Sequence, residues 1–319
     1  MKHQSVIIRN REGAEVLAQA PVIVSASRAT DIPAFYADWF FRRLEEGYVV
    51  WRNPYSGVPS YVSFQNCRFV VFWSKNPRPL LLFLPRLKER GIGCYIQYTL
   101  NDYEGDGLEP NLPPLEERIE TFKRLVDELG PGSVVWRFDP LVLTDKIGID
   151  ELLDKISGIA ERLVDYAMKL VFSFADIGSY RKVGRNLEAA SIHYREWDEP
   201  SMLELARRLD KLNRERWHFT LATCSEAIAL EEFGIEHNRC IDPELIAKLS
   251  QDPDLLRFLN KAGRDGGQRK LCGCILSKDI GTYNTCPHGC AYCYANTSPS
   301  SSSASYRLHL QNPNLETII

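Results

Sequence analysis

The sequence has no apolar run as long as about eighteen residues, and residues 1–5 lack the apolar stretch of a secretory signal. We therefore expect a cytoplasmic protein with no membrane partner. The formal net charge of -3 leaves no basic surplus of the kind that drives sequence-independent nucleic-acid binding. Neither a P-loop nor a GxGxxG motif after a strand occurs, so the sequence supports neither ATP nor NAD as a cofactor.

Cysteine, in contrast, is plentiful and unevenly distributed, because five of the nine residues lie between Cys272 and Cys293. In a reducing compartment such cysteines are better explained by metal ligation or buried thiols than by disulfides. The 319 residues are 44% hydrophobic and 25% charged, which is ordinary for a folded chain with one large domain.

From residue 22 to about residue 233, short apolar runs alternate with turns and helix-period segments. Predicted strands cover residues 22–27, 48–52, 69–74, 94–100, 134–139, 170–175 and 218–223. This alternation is typical of parallel βα units. It predicts an α/β fold, a complete or partial (β/α) TIM-like barrel, with a doubly wound sheet as the alternative.

Composition divides the chain into three predicted parts. Residues 1–233 form the (β/α) barrel, with an inserted turn and extended segment at 53–67. Residues 234–296 form a cysteine-rich iron–sulfur appendage that packs on the barrel mouth, with a helical stretch at 242–259. Residues 297–319 form a Ser-rich mobile tail.

Helix boundaries are predicted from capping residues. Asp31, ahead of a proline, is expected to cap a helix that ends at Gly47. Ser201 and Glu204 match a capping box at the start of a later helix.

The segment from Cys286 through Cys290 to Cys293 has the spacing CxxxCxxC, with Tyr292 directly before the last cysteine. Three thiolates so spaced can hold three corners of a [4Fe–4S] cluster and leave one iron open. A zinc site is the alternative, but the four-residue step fits the usual zinc spacings poorly. His288 inside the loop is either a further ligand or a histidine with ordinary polar contacts.

The three cysteines with Tyr292 resemble the cluster motif of radical S-adenosylmethionine (SAM) enzymes. The chain as a whole resembles a bacterial family catalogued as domain of unknown function 1848, through residues 25–33, 73–77, 136–140 and 277–281. The resemblance implies a [4Fe–4S] cluster, SAM as cofactor, an electron donor such as flavodoxin or ferredoxin, and an unidentified small-molecule or peptide substrate. In radical SAM enzymes the motif follows the first barrel strand. Here it follows every predicted strand, so a C-terminal segment must bring it to the barrel mouth.

A second set of cysteines comprises Cys224, Cys240, Cys272 and Cys274. Four thiolates can form a closed site for an auxiliary [4Fe–4S] cluster or a zinc ion. The alternative is that Cys224 and Cys240 are small buried apolar residues. Cys67 and Cys94 lie in or beside apolar strand-like runs and have no predicted metal role.

Active sites of (β/α) barrels lie at the C-terminal ends of the strands. Candidate catalytic residues at these ends are Arg28, Asp31, Lys75, Asn76, Arg137, Asp139 and Asp176. Arg137 and Asp139 share one strand face, so they either bind a carboxylate or ribose or pair with each other.

Three functions follow from these patterns. The first is a radical SAM-like iron–sulfur enzyme. The second is a non-catalytic binding or scaffold protein stabilised by zinc or a cluster. The third, a barrel hydrolase, lacks a visible nucleophile–base pair.

Overall fold

The computed structural model describes residues 2–54 and 56–319. Its strands are β1 (Gln4–Arg9), β2 (Glu15–Ala20), β3 (Ile23–Ala26), β4 (Tyr48–Arg52), β5 (Pro59–Ser63), β6 (Phe69–Ser74), β7 (Gly93–Thr99), β8 (Val134–Leu141), β9 (Leu143–Thr144), β10 (Lys169–Phe174), β11 (Tyr194–Arg195), β12 (Thr220–Thr223), β13 (Ile235–His237) and β14 (Lys278–Asp279). Its α-helices are α1 (Ile32–Phe35), α2 (Ala37–Glu46), α3 (Leu84–Glu89), α4 (Leu115–Leu129), α5 (Ile149–Leu163), α6 (Arg181–Ala189), α7 (Glu199–Leu212), α8 (Pro243–Leu249), α9 (Pro253–Leu259) and α10 (Pro299–Gln311).

An eight-stranded parallel sheet forms the centre of this α/β fold, in the order β13-β12-β10-β8-β7-β6-β3-β14. From β3 to β13 the strands follow chain order without reversal, whereas a doubly wound sheet reverses its order at a switch point. The outer strands β13 and β14 are not paired with each other in the described residues, so no closed barrel is shown. Large side chains such as Trp136, Phe72 and Phe138 are fully buried in the core.

The prediction that residues 48–52 form a strand is confirmed, but its assignment to the parallel sheet is wrong. This strand, β4, pairs antiparallel with β5 in a separate four-stranded sheet of order β1-β2-β5-β4. Only six residues separate Arg52 at the end of β4 from Pro59 at the start of β5, and a connection of that length can join only antiparallel strands. Arg52 therefore does not lie at an end of the parallel sheet.

Both predicted caps of the first helix are confirmed, but the single helix expected between them is two helices, α1 and α2, separated at Tyr36. Asp31 accepts a hydrogen bond from the backbone N–H of Ala34 at the start of α1, and Gly47 ends α2 in the left-handed conformation. The cap of helix α7 lies three residues before the predicted cap. Asp198 accepts from the backbone N–H of Ser201, so Ser201 lies inside the first turn.

Residues 299–311, expected on composition to belong to a mobile tail, form helix α10. Ser298 caps it, and Tyr306 packs edge-to-face against Phe35 and Tyr36 with ring centroids 5.3 and 5.7 Å apart. Serine is a good capping residue. The aromatic partners Phe35 and Tyr36 lie far away in the sequence, so the composition of the tail does not reveal them.

Among the described residues, no helix has the length and apolar character needed to cross a membrane.

Replacing the buried Ile318 tests whether the C-terminal segment is part of the folded unit. Ile318 is 1% exposed, so Ile318→Ala should lower the free energy of unfolding by about 2–4 kcal/mol through the cavity it leaves. Leu308→Ala, at a side chain 55% exposed, should change it by less than about 0.5 kcal/mol. Denaturant unfolding of both variants measures this, and equal effects would show that the segment does not pack as described.

Candidate functional site

Asp279 on β14 joins the C-terminal segment to the first strand of the parallel sheet. One carboxylate oxygen accepts a hydrogen bond from Ser25 Oγ at 2.8 Å and from the backbone N–H of Arg28 at 3.0 Å. The Arg28 guanidinium lies 3.6 Å from the same oxygen. Arg28, predicted as catalytic, therefore forms an ion pair with the strand that leads into the cysteine loop.

Asp31 connects the cysteine loop to the strand ends. Its carboxylate contacts His288 Nε2 at 2.8 Å and accepts from Ser74 Oγ at 2.6 Å and the Lys75 backbone N–H at 2.8 Å. Burial opposes the charged form, but the hydrogen bonds from His288, Ser74 and Lys75 hold the pKa of Asp31 below its ordinary value. This contact with Asp31 is an ordinary polar contact, which is the second of the two roles predicted for His288.

Lys75, Glu109, Asn101 and Tyr292 form a buried polar cluster beside the cysteine loop. The Lys75 ammonium donates to Glu109 Oε1 and to the Tyr292 hydroxyl, both at 2.7 Å, and Asn101 Nδ2 lies 3.1 Å from each of these oxygens. Tyr292 also donates to Glu109. Although burial opposes it, the cations Lys75 and Arg118 lower the pKa of Glu109. The aromatic position of the cysteine motif is therefore fixed by strand-end side chains.

Sequence reasoning missed Glu109, which is fully buried. It lies in the loop after β7, eight residues beyond Asn101, where the strand-end rule no longer applies. Its position before a proline is the only local signal, and that signal does not distinguish a buried carboxylate from an exposed one.

The three thiols of the motif lie in the loop that carries Tyr292, and Cys290 is close to Lys75 and Glu109 of this cluster. Cys290 is buried, and Cys286 and Cys293 are partly buried and free. Burial raises the pKa of all three thiols, and the nearby Lys75 ammonium opposes this for Cys290. A metal that binds these thiols would have to displace their protons.

Arg137 and Asp139 pair with each other. Arg137 Nε donates to Asp139 Oδ2 at 3.1 Å, and Arg137 Nη1 donates to Gln97 Oε1 at 3.2 Å. Asp139 also accepts from Ser173. Of the two interpretations open from the sequence, these contacts match mutual pairing.

Asp176 lines a cavity of about 510 Å³. The cavity is lined by Phe174, Ala175, Asp176, Ser179, Tyr180, Glu196, Trp197, Met202, Ser225, Glu226, Ala227, Arg269, Lys270 and Leu271. Tyr180 contacts Tyr294, the residue after Cys293, with ring centroids 6.0 Å apart. The cavity therefore borders the cysteine loop.

Asn76, the remaining candidate catalytic residue, donates its backbone N–H to Ser74 Oγ at 2.9 Å.

The second cysteine set is brought together by the fold. Cys224 Sγ and Cys240 Sγ are 3.3 Å apart, Cys274 contacts Cys240, and Cys272 contacts Cys274. Three successive contacts thus link the four thiols in a row. Across residues 2–54 and 56–319, no three or more His, Cys, Asp or Glu side chains are arranged so that they could hold a metal ion as they stand.

Fold and contacts together define an α/β protein whose parallel sheet meets a cysteine-bearing loop at its strand ends. The family described as Domain of unknown function (DUF1848) matches residues 23–295, and the chain belongs to this family. The resemblance to this family that the sequence suggested is therefore confirmed. No curated protein and no solved structure gives a significant match.

Gly281 tests how tightly the C-terminal segment fits the first strand end. A Cβ at this position would lie 1.8 Å from Ser27 Oγ. Gly281→Ala should therefore destabilise the protein by about 1–3 kcal/mol, with partial rescue by Ser27→Gly. Gly263→Ala, where a Cβ meets open space, is the matched control and should change stability by less than about 0.5 kcal/mol in thermal unfolding. An unaffected Gly281→Ala protein would contradict the described packing.

Replacing Glu109 tests the buried ion pair between Glu109 and Lys75. Glu109→Gln leaves the Lys75 ammonium without its anion, so it should cost about 3 kcal/mol of unfolding free energy. Glu117→Gln removes the partner of Arg78 in a pair that is 57% and 49% exposed, and should cost less than about 1 kcal/mol. Equal losses in urea unfolding would show that the two pairs are equally solvated.

Proposed function

We propose that this protein is an iron–sulfur enzyme of the radical SAM type, built on a partial (β/α) barrel. Cys286, Cys290 and Cys293 would hold a [4Fe–4S] cluster. The observation that supports the proposal best is the contact between the CxxxCxxC loop and the strand ends, where barrel enzymes have their active sites.

The surroundings fit a thiolate-ligated cluster. Three soft sulfur donors lie in one loop, and the Lys75 ammonium is close enough to Cys290 to offset negative charge on it. Among residues 2–54 and 56–319, Glu109 Oε2 and His288 Nδ1 are buried without a hydrogen-bond partner, so each can still accept or donate a hydrogen bond. A bound and reduced cluster would supply one electron to the SAM sulfonium, whose S–C5′ bond would break to give methionine and a 5′-deoxyadenosyl radical.

The chain's own residues position and shield this chemistry. Lys75 and Asn101 fix the Tyr292 ring next to Cys293, and Asp31 holds His288 beside Cys290. The cavity that contains Asp176 offers about 510 Å³ for a small-molecule or peptide substrate. Its lining mixes carboxylates, cations and aromatic rings, so it suits a polar substrate with an apolar portion. A flavodoxin or ferredoxin would deliver the electron.

Anaerobic purification and metal analysis test the proposal. The wild-type protein should contain about four iron and four sulfide for the triad, and release 5′-deoxyadenosine when reduced with SAM. Cys290→Ala should lose the iron, the sulfide and the SAM cleavage. Cys94→Ala, at a strand thiol away from the motif, should keep all three.

Failure of reconstituted, reduced wild-type protein to cleave SAM would overturn the enzyme proposal. If that protein also carried zinc without sulfide at the triad, the result would favour a metal-stabilised binding or scaffold protein. Metal analysis and SAM cleavage are separate readouts, so the cluster and the chemistry are judged independently.

A further inference from the structure

The row of four thiols lies where three separate parts of the chain meet. Cys224 follows β12, Cys240 follows β13, and Cys272 and Cys274 come from the loop before β14. The first two sulfurs are 3.3 Å apart, and contacts through Cys274 join Cys240 to Cys272. All four sulfurs are free. Four thiols gathered from such distant positions are more than an ordinary core needs.

Hydrogen-bond donors converge on two of these sulfurs. Arg137 Nη1 donates to Cys240 Sγ at 3.2 Å, and Asn238 Nδ2 donates to it at 3.3 Å. The backbone N–H of Ile241 donates to Cys274 Sγ at 3.3 Å. Donors of this kind, a guanidinium above all, stabilise sulfur that carries negative charge. They are the surroundings that metal-bound thiolates have in proteins.

The backbone that carries the thiols is held in place on both sides. Tyr95 and Gln97 on β7 donate to the Cys240 carbonyl at 2.5 and 2.9 Å. The Ile275 N–H donates to the Ile241 carbonyl at 3.2 Å, which pairs the two cysteine-bearing segments. The thiols are therefore presented by backbone that these hydrogen bonds hold in place.

We propose that Cys224, Cys240, Cys272 and Cys274 bind one zinc ion. Zinc is tetrahedral with Zn–S bonds of about 2.3 Å, which places its ligand sulfurs about 3.8 Å apart, close to the contact already present. A four-iron cube lies between its thiolates and keeps them well apart, so touching sulfurs fit it poorly. On binding, the four thiols lose their protons to solvent, and Arg137 and Arg28 offset the two net negative charges left on the site.

This site is separate from the proposed reaction. Arg137 reaches Cys240, while Lys75 and Tyr292 contact the other cysteine set. The zinc would join β12, β13 and the loop before β14, and so hold the C-terminal segment against the sheet. Its presence does not depend on whether the protein cleaves SAM.

Metal analysis of protein purified anaerobically, without added zinc, tests the proposal. The wild-type chain should carry about one zinc, and Cys274→Ser and Cys272→Ser should lose it. Cys290→Ser, in the other set, should keep the zinc. Asn238→Ala leaves all four ligands and should weaken zinc about tenfold or more in competition with a chromogenic chelator. Cobalt substitution gives a second readout, because four thiolates produce strong visible charge-transfer bands that Cys272→Ser should remove.

Three results would overturn the zinc site. The first is about eight iron per wild-type chain with a fall of about four in Cys274→Ser, which would make it a second cluster. The second is no metal beyond that held by the Cys286 set. The third is recovery of Cys224 and Cys240 as a disulfide by alkylation and mass mapping. Because Asn238→Ala removes no ligand, loss of folding in Cys274→Ser alone does not leave the question open.

Discussion

The arrangement of the strand ends depends on the carboxylate of Asp279. It accepts from Ser25 Oγ and from the Arg28 backbone N–H, and so joins two segments that are more than 250 residues apart in the chain. Loop closure over that distance is costly in entropy, so the contact has to be supported by others. Trp51 Nε1, donating to the Gly281 carbonyl at 3.1 Å, and Thr30, donating to the Thr282 carbonyl at 2.7 Å, provide that support. The position of the cysteine loop follows from these hydrogen bonds.

Charge inside the molecule is arranged in compensated pairs around sulfur. Lys75 faces Glu109 near Cys290, and Arg137 faces Asp139 near Cys240. Each cation thus has an acidic partner and still lies close to a thiol. Removing one partner of such a pair is costly, because the other stays buried with its charge. In both cysteine sets, therefore, a buried cation that is paired with a carboxylate lies near a thiol.

Much of the fold could be predicted from the sequence, because strand periodicity and capping are local. Six of the seven predicted strands lie in the parallel sheet, and Asp31 caps its helix. The pairing of β4 depends on a turn and on β1 and β2, which periodicity does not reveal. In the site, the cysteine spacing is visible as a motif, whereas Glu109 became apparent only through its buried neighbours. Tertiary contacts, not local propensity, decide such positions.

The strand order has a consequence for biosynthesis. Strands β3 to β13 are translated before the two segments that carry Cys272, Cys274 and the Cys286 loop. The sheet can therefore begin to form on the ribosome while its edge at β3 is still unpaired. Only when β14 emerges does that edge gain its neighbour and the last five cysteines reach the strand ends. A chain released before β14 is made would therefore expose an open sheet edge and lack the Cys286 loop.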